Sequence, residues 1–171
     1  EADGSTPPGR AKLYVCDPEI ITTDEESKET TKSADRDCSQ TIVETFMAEA
    51  WRRPVSVSEV DDVMGIFDTA YDGGSDVHDA LEFALKRVLL SPWFIFRVEV
   101  PSEPESTVSQ PLSAHELAAR LSYFLWSSQP DAELRATADD GTLLDLGVLE
   151  DQTRRMLSDD KAEALVDNLG E

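Results

Sequence analysis

Apolar side chains recur at steps of three and four residues along most of the chain, which is the spacing that places them on one face of an α-helix. The first clear run follows Cys38 and predicts a helix that Asp37 or Ser39 can cap and that ends near Trp51. Pro54 sets that end, because a proline disfavours the helical conformation of the residue before it, here Arg53. The pattern therefore predicts that the chain becomes helical from Cys38 onwards.

Two further helices are predicted from their starting sequences. Ser56-Val-Ser-Glu59 has the spacing of a capping box, and Gly73-Gly74 predicts the end of the helix that it starts. Asp76 is predicted to cap a third helix, which ends before Ser91-Pro92 and whose wide apolar face indicates a central position. The positions predicted to be buried in these two helices are Val60, Val63, Met64, Phe67, Tyr71, Val77, Ala80, Leu81, Ala84, Leu85, Val88 and Leu89.

The second half of the chain carries similar signals. Ser113-Ala-His-Glu116 is another capping box, residues 131–138 predict a short helix, and Asp145 is predicted to cap a longer one. A last helical run begins near Asp160 and reaches Glu171 without a clear stop, so we expect this subdomain to be incomplete and the polypeptide to continue. The positions predicted to be buried after Ser113 are Leu117, Leu121, Phe124 and Leu125, with Tyr123 and Trp126 beside them.

The segments without a helical pattern divide the chain. Trp93–Val100 is aromatic and β-branched, but no partner strand is evident, so we predict an extended or short helical connector. Residues 101–110 are rich in proline, serine and glutamate and predict a linker. The predicted fold class is all-α, with two packed helical subdomains of roughly three helices each at residues 38–100 and 111–171. A long irregular segment, residues 1–37, precedes them.

Charge and composition argue against two classes of protein, nucleic-acid-binding proteins and membrane-spanning proteins. The chain has 171 residues, with 15 basic and 36 acidic side chains and a formal net charge of −21. A surface this acidic repels phosphate, so nucleic acid is not an expected partner. The hydrophobic content of 40% is enough to build a core. No apolar run approaches the roughly 18 residues of a membrane span.

Cys16 and Cys38 are the two cysteines of the chain, and they bracket a polar segment of loop-like composition. A disulfide between them would close that loop and would indicate an oxidising compartment. The alternative is two unrelated buried thiols, because a free cysteine packs as a small apolar residue. Zinc is disfavoured, since there is no Cys-x-x-Cys sequence and no histidine nearby.

Candidate chemical groups are few. His78 and His115 lie near predicted helix starts, where a surface role is the simpler interpretation. Asp72, Asp76 and Asp79 surround the Gly73-Gly74 turn and are weak candidates for calcium, without the spacing of an EF-hand loop. There is no Gly-x-Ser-x-Gly sequence and no glycine-rich phosphate loop, so the chain offers no recognisable catalytic motif.

Arginines are scarce and lie among apolar residues. Arg97 falls in an aromatic stretch, and Arg120 lies one helical turn after Glu116, with which it can pair at a spacing of four residues. We predict that Arg97 and Arg120 are structural, at least partly buried and bonded to carboxylates or to backbone carbonyls. The alternative is a cluster that binds an anionic ligand or a partner domain.

Several distinctive stretches follow one another in a characteristic order. They are Cys16-Asp-Pro18, the helix start at Cys38, Trp51-Arg-Arg-Pro-Val55, Leu89-Leu-Ser-Pro-Trp-Phe-Ile-Phe-Arg97, Pro111-Leu-Ser-Ala-His-Glu-Leu-Ala-Ala-Arg-Leu-Ser-Tyr-Phe-Leu-Trp-Ser-Ser128, Pro130-Asp131 and Arg154-Arg-Met-Leu157. In this order they resemble the large secreted, cytochrome-associated proteins abundant in planctomycetes. The first half resembles domain of unknown function 1595, and the second half resembles domain of unknown function 1592. The resemblance covers nearly all of the chain after Lys12.

The resemblance implies an exported protein, periplasmic or extracellular, whose relatives are fused or linked to c-type cytochrome modules. It carries over no catalytic residues. Haem c is expected only in another part of the full-length protein, because this chain lacks the Cys-x-x-Cys-His sequence that attaches haem covalently. The expected partners are other domains of the same polypeptide, among them a c-type cytochrome module.

Three hypotheses of function follow from these observations. The first is a non-catalytic helical module used for assembly or docking within a larger exported, cytochrome-linked protein. The second is a part of an exported haem-dependent redox enzyme whose active centre lies outside this chain. The third is an acidic module that binds calcium or a sugar. A visible absorption spectrum of the full-length protein would separate the second from the other two.

Overall fold

A computed structural model describes residues 12–100, 103, 105 and 107–169. The chain divides into two compact units, Glu1–Phe96 and Arg97–Glu171, and both are mainly helical where they are described. The predicted helical fold is therefore confirmed. The helices of the first unit are α1 (Arg36–Trp51), α2 (Val57–Asp72), α3 (Val77–Leu89) and the short α4 (Pro92–Ile95). Those of the second unit are α5 (Ala114–Trp126), α6 (Ala132–Asp139), α7 (Leu146–Leu157) and α8 (Glu163–Leu169).

A β-hairpin lies within the segment that the sequence analysis described as irregular. Strands β1 (Glu19–Thr23) and β2 (Thr30–Ala34) pair antiparallel, with Glu19 opposite Ala34 and Thr23 opposite Thr30. Asp24 closes the turn by accepting hydrogen bonds from the backbone N–H and the hydroxyl of Ser27, at 2.7 and 2.9 Å. The β-branched threonines and isoleucines favour strands. The segment was nevertheless predicted to be a loop, because most of its residues are polar.

The disulfide between Cys16 and Cys38 is present, with the two Cα atoms 6.0 Å apart, so the interpretation as free thiols is wrong. Cys38 lies in the first turn of α1, whose cap is Asp35 rather than the predicted Asp37 or Ser39. The Asp35 carboxylate accepts a hydrogen bond from the Cys38 backbone N–H at 2.9 Å. The bridge thus ties the base of the hairpin to a capped helix start, and a loop of this length contributes about 3 kcal/mol in the chain-entropy model.

The core of the first unit forms where α1, α2 and α3 meet. Most positions predicted to be buried are buried, but Tyr71 and Leu85 are only partly buried and Leu89 is 39% exposed. Leu89 is the last residue of α3, and Val88 supplies the buried side chain of that turn. The buried residues of this core are Cys38, Ile42, Val43, Met47, Ala50, Trp51, Val60, Val63, Met64, Phe67, Val77, Ala80, Leu81, Ala84 and Val88.

The second unit has its own core, and three positions of α5 that were predicted to be buried are less buried than expected. Phe124 was predicted to be buried but is 63% exposed, and Leu117 and Leu121 are only partly buried. The packed face of α5 consists largely of small residues, Ala118 and Ser122 among them, which allow other elements to approach closely. The buried residues of this core are Ala114, Ala118, Leu125, Trp126, Leu134, Ala138, Leu143 and Met156.

The segment after α3 is a helical turn followed by extended chain, as predicted for Trp93–Val100. Ser91 caps α4 by accepting a hydrogen bond from the Trp93 backbone N–H at 3.3 Å, and Pro92 occupies its first position. Positions 101, 102, 104 and 106 of the predicted linker lie outside the described residues, as do residues 1–11 and the last two residues. The linker and the subdomain limits predicted from the sequence remain predictions.

Candidate functional site

The two arginines that follow α1 organise the surface where three helices of the first unit end or begin. The Arg53 guanidinium donates to both oxygens of the Glu59 carboxylate, at 2.6 and 3.1 Å. It also lies over the ring of Trp93, 4.3 Å from the centroid, and 5.3 Å from the ring of Trp51. A bidentate ion pair stacked on aromatic rings is the geometry that arginine, and not lysine, supplies.

Glu59 pairs with Arg53 and also caps the start of its own helix, α2. It is the third residue of α2, and its carboxylate accepts hydrogen bonds from the backbone N–H and the hydroxyl of Ser56, at 2.9 and 3.0 Å. The hydrogen bond from Arg53 is the main cause that lowers the pKa of Glu59 to about 2, against the opposing effect of burial. The capping box predicted from Ser56 and Glu59 is thus confirmed, with a charged partner that the local sequence did not reveal.

Arg52 fixes the backbone of the segment after α3. It ends α1 with φ at 59°, a left-handed conformation that is uncommon for a residue with a side chain. Its Nη2 atom donates to the carbonyl oxygens of Trp93 and Phe96, at 2.7 and 3.0 Å. The two arginines therefore hold the end of α1, the start of α2 and the turn of α4 in one arrangement.

Replacing Arg53 with methionine should lower the free energy of unfolding by about 1–3 kcal/mol near neutral pH, because the partly buried Glu59 carboxylate loses its partner. Glu59 has a lowered pKa, so its contribution is present above about pH 4.5 and disappears as the pH falls through about 2. The difference between wild type and variant should therefore shrink over that range. Chemical denaturation at several pH values measures it.

Arg154→Met is the matched control for this prediction. Arg154 pairs with Glu150 one turn away on an exposed helix face, with 73% of its side chain exposed. Such a pair contributes less than about 0.5 kcal/mol. If both variants lost the same stability, or if the Arg53 effect were unchanged near pH 2, the role assigned to the Arg53–Glu59 pair would be wrong.

The second unit contains a similar arrangement around Arg155. Its guanidinium donates to both oxygens of the Asp131 carboxylate, at 2.7 and 3.1 Å, and lies 5.7 Å from the ring of Trp126. Asp131 caps α6 through the backbone N–H of Leu134. Burial raises the pKa of Asp131, but the hydrogen bonds from Arg155 and Leu134 outweigh burial and lower it.

Two more residues complete this cluster. The buried Gln152 accepts from Arg155 at 2.8 Å and donates to Glu133 at 3.0 Å, while Lys161 lies 4.5 Å from the Trp126 ring. The sequence pattern did not predict these contacts, because the residues belong to separate helices. In the sequence, the adjacent Arg154 and Arg155 were the one indication of an ion-pair cluster here. Only the fold shows that Arg155, and not Arg154, lies on the partly buried side of the helix.

The site residues predicted from the arginine pattern make different contacts from those expected. Arg120 is exposed, with 60% of its side chain accessible, and donates to both oxygens of Glu99 at 2.6 and 2.7 Å. Arg97 is exposed as well and lies 4.9 Å from the ring of Tyr123. The predicted partial burial of both arginines is therefore wrong, and the bonded partner of Arg120 is Glu99 rather than Glu116.

The Glu116 carboxylate accepts hydrogen bonds from backbone N–H groups. It closes the predicted capping box with Ser113 and also accepts a hydrogen bond from the Val100 backbone N–H at 2.8 Å. Burial raises the pKa of Glu116, and the hydrogen bonds from Ser113 and Val100 outweigh burial and lower it. Glu99, Arg120, Glu116 and Val100 thus anchor the chain before the linker to α5.

The histidines and the aspartates proposed for calcium are not brought together. His115 Nε2 lies 2.8 Å from the Asp139 carboxylate, and His78 Nδ1 lies 3.4 Å from the Tyr14 hydroxyl. Asp76 caps α3, and its carboxylate accepts from two backbone N–H groups. Within the described residues, no group of three or more histidine, cysteine, aspartate or glutamate side chains is placed to hold a metal ion.

Comparison with family models identifies both halves of the chain. Residues 38–99 match the family described as PSD5, a protein of unknown function (DUF1595), and residues 112–171 match PSD4, a protein of unknown function (DUF1592). The two matches cover separate parts of the chain. The resemblances of the first half to domain of unknown function 1595 and of the second half to domain of unknown function 1592 are thereby confirmed. Comparison with curated proteins found no match, and comparison with solved structures found none.

The arginine clusters divide between the two domains. The region that matches DUF1595 contains the Arg52–Arg53 cluster, and the region that matches DUF1592 contains the Arg155 cluster. Cys16 and Cys38 are bonded to each other, and the sequence contains no Cys-x-x-Cys-His motif. In the described part of the chain, no helix has the length and apolar character needed to cross a bilayer.

Proposed function

We propose that the DUF1595 and DUF1592 domains form a non-catalytic helical docking module within a larger exported, cytochrome-linked protein. The observation that carries the proposal is a group of large apolar side chains that the first unit leaves exposed. We call it the apolar strip, and it consists of Leu90, Phe94, Ile95 and Phe96. Exposed apolar groups that lie close together on a folded domain mark interaction surfaces.

The strip is held in place by the contacts described above. Trp93, in the same turn, packs inward against the first core and under the Arg53 guanidinium. Arg52 donates to the carbonyl oxygens at both ends of Trp93–Phe96. The exposed side chains therefore project from a fixed backbone, which reduces the entropy that a partner must overcome on binding.

The charge around the strip suits an anionic partner. Although the chain carries a net charge of −21, the sequence from Phe83 to Val98 contains Lys86, Arg87 and Arg97 and no acidic residue. Lys86 pairs with Glu82, so Arg87 and Arg97 supply the positive charge near the strip. The exposed edge of a c-type haem combines an apolar macrocycle with propionate carboxylates. An apolar strip with basic neighbours complements that combination. We therefore assign the strip to docking of a c-type cytochrome module, in an exported protein whose disulfide suits an oxidising compartment.

Site-specific photo-crosslinking in the full-length protein tests this function. Phe94 is replaced by the photoreactive p-benzoylphenylalanine, and cross-linked peptides are identified by mass spectrometry. We expect the cross-links to reach a haem-bearing domain outside residues 1–171. The same replacement at Val57, an exposed position at the start of α2, is the matched control and should give none.

Three results would overturn the proposal. They are cross-links confined to residues 1–171, equal yields from the positions of Phe94 and Val57, and a full-length protein without the visible absorption of haem. A catalytic reaction that depends on side chains of this chain would also contradict the non-catalytic role.

A further inference from the structure

The first unit contains a groove whose chemistry differs from that of the apolar strip. The groove has a volume of about 410 Å³ and lies against α1, α3 and the residues that precede the disulfide. This volume falls in the range of small-molecule sites, roughly 300–1,000 Å³. Its lining includes Tyr14, Phe46, Asp79, Glu82, Leu85 and Leu89.

Apolar side chains form one part of this groove. Phe46 and Leu85 are partly buried, and Leu89, at the end of α3, extends the apolar surface to the solvent. The ring of Tyr14 stacks against that of His78, with the centroids 5.8 Å apart and the planes inclined by 26°. An aromatic or alkyl group can bury its surface against these side chains without displacing the core.

The polar side of the groove is acidic. Asp79 and Glu82 are three residues apart on α3, so their carboxylates lie on the same helix face. Lys86 pairs with Glu82 one turn further along. With His78 counted as neutral, the two carboxylates and the one ammonium of the lining leave an excess of one negative charge, which favours a ligand with one positive charge.

We infer that this groove binds a small organic cation with an apolar body, such as an arylalkylamine. The ammonium group lies at the carboxylates of Asp79 and Glu82, and the ring lies against Phe46 and Leu85. The site is separate from the apolar strip, because Leu90 and Phe94–Phe96 are not among the residues that line it.

Nuclear magnetic resonance titration of the whole chain with three matched compounds tests the inference. They are 2-phenylethylamine, which is a cation near neutral pH, the neutral 2-phenylethanol and the anionic 3-phenylpropionate. The cation should produce saturable shifts of the Leu85 and Leu89 methyl signals and of the Tyr14 ring signals. The alcohol should bind about two- to fivefold more weakly, which is the ratio that an exposed ion pair supplies. The anion should cause no saturable shift.

Three variants make the assignment specific. Asp79→Asn should reduce the affinity for the cation to that for the alcohol, whereas Asp61→Asn, an exposed carboxylate on α2, should leave both unchanged. Leu89→Ser should weaken the cation and the alcohol alike, because both lose apolar contact. The site would be refuted by a cation that shifts none of these signals, by equal affinities in the two aspartate variants, or by binding of the anion as tight as that of the cation.

Discussion

Replacing Phe67 with alanine should lower the free energy of unfolding of the first unit by about 3–5 kcal/mol. Phe67 is 1% exposed and lies in the core formed by α1, α2 and α3. Its ring stacks with that of Tyr71, at a centroid distance of 5.9 Å. The variant leaves a cavity that the surrounding helices can fill only in part, and Trp51 and Trp93 provide a fluorescence signal for denaturant unfolding.

The same variant should loosen the hairpin. The Tyr71 hydroxyl accepts a hydrogen bond from the Ala34 backbone N–H at 2.9 Å, so the position of the Tyr71 ring matters to the end of β2. Faster hydrogen exchange in Thr30–Ala34 should accompany the loss of stability. Ile66→Ala is the control, because Ile66 is the preceding residue of α2 and is 40% exposed. An effect at Ile66 as large as that at Phe67 would contradict the assigned core.

Trp126→Ala should cost about 3–5 kcal/mol in the second unit. Trp126 is 3% exposed, and its indole N–H donates to the Met156 carbonyl oxygen at 2.9 Å. The ring also packs near the cationic groups of Arg155 and Lys161. Its removal takes away a large buried surface, a buried hydrogen bond and two cation–π contacts, and far-ultraviolet circular dichroism during denaturation measures the loss.

Two further substitutions in α5 separate these contributions. Trp126→Phe keeps most of the apolar surface but removes the indole N–H from the Met156 carbonyl, which then keeps the longer hydrogen bond from the Asp159 backbone N–H at 3.3 Å, so it should cost about 1–3 kcal/mol. Phe124→Ala removes an aromatic ring that is mostly exposed, and its effect should stay within about 1 kcal/mol. Equal losses at Phe124 and Trp126 would show that the two rings are not buried as described.

The helix starts could be predicted because capping is local. Ser56, Asp76, Ser113 and Asp145 each cap the helix that the sequence assigned to them, through backbone N–H groups two or three residues away. The cap at Asp35 was not predicted, because Asp37 and Ser39, two and four residues later, have side chains that are equally suitable for capping. The hairpin was missed for a different reason, since strand pairing joins residues up to 15 positions apart, Glu19 and Ala34 being the outermost pair.

The candidate site was predictable only in its residue types. Arginines in aromatic stretches indicated structural contacts, and Arg53 stacked on Trp93 has that character. The partners could not be predicted, because Arg155 reaches Asp131 on another helix, and Arg120 bonds Glu99 before the linker. The sequence shows which side chains can pair within one helical turn. It does not show which side chains of other helices are brought close by packing.

The amino-acid sequence by itself determined the helical class and most helix limits, and it restricted any disulfide within the chain to Cys16 and Cys38. These properties depend on backbone preferences and on interactions between residues a few positions apart, or on the presence of two thiols alone. The tertiary structure decided the exposure of Phe124 and the inward turn of Arg155. It also decided the groove beside α3. Each of these depends on which helix faces pack together, because packing removes water from some side chains and leaves others, equally apolar, in contact with it.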